Sequence, residues 1–168
     1  NVSHFRKMRI ISVMGEMVND STLPPQALAT LKNALKDKDL AKQAAIALGN
    51  LSNDSIPVLI DMLKTSKDPE LQAAAVKGLG QIGGLHGDPR IIPPLLEVLQ
   101  APNTDVTVLT EVAWALGKLP DKRSIEPLYA LDRKLRLDPS SRDDPKIKKL
   151  LEAVFWAIKQ VDTWDQFS

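Results

Sequence analysis

Ala47-Leu48-Gly49-Asn50-Leu51 returns as Gly78-Leu79-Gly80-Gln81-Ile82 and again as Ala115-Leu116-Gly117-Lys118-Leu119. Val13-Met14-Gly15-Glu16-Met17 is a degenerate earlier copy, and Ala157-Ile158-Lys159-Gln160-Val161 is a later one with Lys in place of Gly. Counted between their central residues, the copies stand 34, 31, 37 and 42 residues apart. A near-regular period of this length marks a stacked array of supersecondary units, each burying its apolar face against its neighbours.

Each phrase closes a helical pattern. Leu40, Ala44, Ala45, Ala47 and Leu48 fall on one stripe of a 3.6-residue period, and Leu71, Ala75, Val76 and Leu79 repeat it. Val108, Val112, Ala113 and Leu116 do so a third time. The small residues let helices approach closely, and the repeat Gly suits either tight packing or a left-handed turn at the helix end. A second helix precedes each of these: Ser55-Ile56-Pro57-Val58-Leu59 aligns with Ile91-Ile92-Pro93-Pro94-Leu95, and Ser124-Ile125-Glu126-Pro127-Leu128 opens a third. Proline in a first helical turn breaks no intrahelical bond. Asp54 or Ser55, and Ser124, are the expected N-caps.

The expected organisation is one domain, 1–168, a fragment or mature form of a longer chain. A lone helix spans 5–18, three helix pairs lie between 25 and 119, and a final pair covers 125–137 and 145–161. Two insertions break the period: residues 83–87, read as a lengthened turn, and residues 137–145, read as a longer turn within the last pair. Trp164 is expected beyond the last helix.

Composition agrees with such a fold. Aromatics are only 4% of the 168 residues, so Leu, Ile, Val, Ala and Met must build the core. With 22 basic and 21 acidic residues, the charge is balanced, which argues against a nucleic-acid or membrane-surface binder. Zero cysteines exclude disulfides and thiolate chemistry and fit any compartment. No apolar run reaches the roughly 18 residues of a membrane span. His4 and His86 are the only histidines, with no metal-binding pair between them, and no phosphate loop or nucleophile motif is present.

Gly87-Asp88-Pro89-Arg90-Ile91-Ile92-Pro93-Pro94-Leu95-Leu96 and the junction Leu119-Pro120-Asp121-Lys122-Arg123-Ser124-Ile125-Glu126-Pro127-Leu128 resemble the short HEAT-like repeats of the phycobilisome-lyase type. The resemblance covers about 5–161. It implies an all-α, right-handed α-α superhelix, a HEAT-like solenoid of about nine helices in antiparallel pairs. One departure stands out: Ala41 and Gln72 occupy positions where such repeats often carry an arginine.

In the architecture that the resemblance implies, the second helix of each pair lines the concave surface. Three residues before the repeat Gly, that face carries Trp114 and Trp156 in adjacent units. Tryptophan is enriched at binding hot spots, so the two read as a binding patch bordered by Glu111, Lys118, Glu152 and Gln160. The competing reading packs both rings between the last repeats. Lys77, Asn50 and Gln81 share the face in earlier units. The leading functional expectation is a non-enzymatic scaffold binding another protein or peptide, with no cofactor. The alternatives are a chromophore or small-ligand carrier like the bilin lyases, with the tryptophans as a stacking floor, and a HEAT-like DNA-binding repeat protein.

Overall fold

The computed structural model describes residues 25–50 and 53–167, together with 6, 7, 9 and 11. The first expected helix, 5–18, thus lies largely outside the described residues. The four described positions within it are helical. Eight α-helices follow: α1 Pro25–Ala34, α2 Lys38–Gly49, α3 Ile56–Thr65, α4 Pro69–His86, α5 Ile92–Gln100, α6 Val106–Lys118, α7 Ile125–Leu137 and α8 Pro145–Phe167. The described residues contain no strand, and the fold is all-α with the expected helix pairs.

An aspartate starts each of the second helices α2, α4, α6 and α8. Asp37, Asp68, Asp105 and Asp144 each accept a hydrogen bond from the backbone N–H two residues on, at 2.8–3.0 Å. Each satisfies an orphan donor and places negative charge at the positive end of its helix. The first helices begin differently. Ser55 and Ser124 form no side-chain cap, because a 3-10 turn precedes each helix. Capping instead falls to Asp121, and in the middle copy to Asp88, which open those turns. Asp54 lies inside its 3-10 turn, Asn53–Ser55.

Asp88 and Asp121 each do two jobs. Asp88 accepts from the Arg90 backbone N–H (3.0 Å) and from the Arg90 guanidinium (Nη2, 2.6 Å). Asp121 repeats the clasp with Arg123, at 2.9 and 2.7 Å. The hydrogen-bonded guanidinium, more than any other group, holds each carboxyl below its usual range, against the opposing effect of burial.

The chain divides into two compact units, residues 1–82 and 83–168. In the first, α1 packs on α2 and α2 on α3. A Cβ on Gly49 would stand 2.5 Å from the Cα of Gly78, and one on Gly78 would stand 2.7 Å from the carbonyl oxygen of Ala45. The two helix backbones therefore touch, and no larger residue fits at the crossing. Leu31, Leu48, Ile56, Leu59 and Leu79 fill this unit's core.

In the second unit, α5 and α7 form one layer and α6 and α8 the other. Ile92, Leu95, Leu116, Leu128 and Leu150 are fully buried there. Burying each such side chain is worth about 1.5–3 kcal/mol, so the apolar stripes read from the sequence dominate the stability of each unit.

The structure corrects two further expectations and decides between the two readings of the repeat Gly. Residues 83–86 are helical, not a turn: α4 runs through to His86, and its last bond links the Gly87 N–H to the Gly83 carbonyl. Only Gly87 leaves the helix, at φ +64°, where glycine is favoured. The repeat residues Gly49 and Gly117 have no positive φ, so close approach and not left-handed geometry explains them. Finally, α8 extends to Phe167 and carries Trp164 within it. The turn at 137–145 is longer, as expected, and holds a 3-10 segment, Pro139–Ser141.

Candidate binding face

Glu111, Trp114 and Lys118 stand at i, i+3 and i+7 on α6, and Glu152, Trp156 and Gln160 at i, i+4 and i+8 on α8. Both spacings put three side chains on one helix face. Because α6 packs on α8, the two faces adjoin. The Trp114 and Trp156 ring centroids are 4.9 Å apart with planes tilted by 49°. Tilted pairs at this separation match the quadrupoles of the rings and add about 0.5–1.5 kcal/mol to the area they bury.

Both rings are half-buried, as is Glu111, while Lys118, Glu152 and Gln160 are exposed. The six-membered ring of Trp156 lies over the backbone of Gly117, where an added Cβ would overlap it. The pair thus does part of what each sequence reading asked. It seals the α6–α8 seam, and it keeps part of both rings in solvent.

The first unit places its expected residues less uniformly. Lys77 is exposed. Asn50 is the half-buried C-cap of α2, its N–H donating to the Ala47 carbonyl. The Gln81 side-chain oxygen, Oε1, is buried without a hydrogen-bond partner among the described residues, and it faces Gly49. Gln81 therefore turns into the helix contact more than outward.

Phe155 is the aromatic that the sequence reading missed. It is 52% exposed, with the Lys159 ammonium 4.8 Å above its ring. Its counterparts four residues before each repeat centre, Ala45, Val76 and Ala113, are fully buried. On α6, the side carrying Ala113 and Gly117 meets the following helix. On α8, Phe155 and Lys159 hold those positions in the open. The signal was present in the sequence: the last copy alone has an aromatic ring four residues before its centre, and a Lys where the others have Gly.

Among the described residues, no three His, Asp or Glu side chains are placed to hold a metal ion, and no helix is long and apolar enough to cross a membrane. The sequence profile of HEAT repeats matches residues 24–107 and 56–134, together well over half of the chain. The chain belongs to the HEAT-repeat family. No curated protein matches it.

Proposed function

We propose that this chain is a non-enzymatic interaction module that binds a protein or peptide through the face of its second helices that the family resemblance makes concave, centred on Trp114 and Trp156. The observation that carries the reading is the partly exposed indole pair at the α6–α8 seam. Rigid aromatic area is already ordered there before a partner arrives, so little side-chain entropy is lost on binding. Lys118, Glu152 and Gln160 supply a mixed-charge polar rim, and Phe155 extends the aromatic area along α8. In the first unit, Lys77 and Asn50 are the proposed contacts on the same type of helix face.

The junctions at 87–96 and 119–128 support a repeat design like that of the phycobilisome lyases. A chromophore would need a flat stacking floor, and rings tilted by 49° do not form one. A peptide with an apolar side chain entering the angle between the rings suits them better.

A photo-crosslinking residue at Gln160 or Lys118, compared with one at Ala130 on α7, tests the face in cells that make the protein. The reading predicts adducts of one size from the first two positions, and loss of those adducts when Phe155→Ser is added. Adducts at Ala130 alone, or equal labelling at all three positions, would place binding elsewhere.

A further inference from the structure

The insertion that breaks the repeat period builds a cleft away from the indole pair. After α7 ends at Leu137, Asp138 fixes the turn by accepting from the Ser140 N–H (2.9 Å) and the Ser140 hydroxyl (2.7 Å). The 3-10 segment then turns Ser141 inward, where it is 5% exposed. A cleft of about 300 Å³ opens between this turn, the end of α7 and the start of α8. Leu135, Arg136, Ser141, Arg142, Lys148 and Leu151 line it.

Every ionised side chain lining the cleft is a cation, although the chain as a whole has 22 basic and 21 acidic residues. Three separate segments contribute them. One of these cations is already paired, since Arg136 Nε donates to Asp132 at 2.8 Å; of the other nearby carboxylates, Asp138 holds Ser140 and Asp144 caps α8, which leaves Arg142 and Lys148 for a ligand. Asp143 is exposed and does not line the cleft. Among the described residues, Arg142 and Lys148 form no ion pair, and the Ser141 hydroxyl is committed to no other protein group and lines the cleft.

We infer that this cleft binds a phosphate-type oxyanion. The Arg142 guanidinium offers a planar fork for two oxygens, Lys148 a point charge, and Ser141 a short donor. Leu135 and Leu151 give the floor an apolar strip, which suits the organic part of a small phosphate ester.

An amide-resolved NMR titration of the whole chain tests the site, with inorganic phosphate, phenyl phosphate and chloride at matched ionic strength as probes. Both phosphates are expected to shift the amides of Ser141, Arg142 and Lys148 saturably, with chloride inert. Tighter binding of phenyl phosphate identifies an organic phosphate as the ligand class, and equal binding identifies the free anion; either supports the site. Arg142→Gln with Lys148→Gln, both at exposed positions, should weaken binding by about tenfold or more, the scale of one to two lost charge-assisted hydrogen bonds. Lys149→Gln, adjacent on α8 but outside the lining, should leave affinity unchanged. Chloride reproducing the shifts, or full affinity in the double variant, would overturn the inference.

Discussion

The ring of Trp156 rests on the backbone of Gly117, so one glycine sets how closely α6 and α8 approach. The same device recurs at Gly49 and Gly78, where it is backbone that meets backbone. At Gly84, by contrast, an added Cβ would meet only the Lys118 Cβ, at 3.8 Å.

These environments predict an order of stabilities. Gly49→Ala should destabilise most, by about 1–3 kcal/mol, because the two backbones must separate to admit the methyl group. Gly117→Ala should cost less, since an indole can shift more readily than a helix. Gly84→Ala should stabilise by about 0.5–1 kcal/mol through helix propensity. Urea midpoints of the three variants check the order, and a costly Gly84→Ala would contradict the described packing.

Asp88 predicts a pH dependence. Its carboxyl titrates below the usual range in the folded chain, chiefly through the hydrogen bond from the Arg90 guanidinium. A depressed folded value means that the stabilisation is present above the unfolded value of about 4. It is then lost as pH falls through the lower folded value. Asp88→Asn keeps an acceptor for the Arg90 N–H but not the charge, and should flatten this acid limb. Asp88→Ala also loses the cap, about 1 kcal/mol at neutral pH. Urea unfolding from pH 7 to pH 2.5 distinguishes the two.

Tyr129 donates to Asp162 Oδ2 at 2.9 Å, tying α7 to α8. That hydrogen bond is the main reason its phenol ionises above its ordinary value of about 10. The folded state prefers the protonated phenol, so this contribution is present below the unfolded value and lost as pH rises through the higher folded one. Tyr129 is the one tyrosine in the chain, so phenolate absorbance reads it directly. Asp162→Asn should bring the transition back toward 10, and an unchanged transition would mean that the bond does not form in solution.

The helix pairs were legible because the apolar stripes and the Ala-Leu-Gly phrase repeat together. Residues 83–84 were misread because glycine pairs usually mark turns. Here α4 continues because a small residue is needed: a Cβ on Gly83 would stand 3.2 Å from the Leu119 side chain. The caps were misplaced because Ser55 and Ser124 precede apolar runs, whereas the aspartates sit before 3-10 turns that no periodicity announces. Phe155 was easy to overlook because the repeat frame assigns its position to the core in the earlier copies, where Ala45, Val76 and Ala113 are buried. The Trp114–Trp156 contact followed from equal register in adjacent repeats, but a spacing does not encode how far each ring is covered, and both are only partly exposed.

Acrylamide quenching of the indole pair tests the central claim most directly. Trp164→Phe leaves Trp114 and Trp156 as the only emitters, and Trp114→Phe with Trp156→Phe leaves Trp164, which is 44% exposed, as an internal reference. The account predicts that the pair quenches measurably, though less than Trp164, because both rings keep an open edge. Blue emission and no quenching of the pair would make it core alone and contradict the proposed binding face.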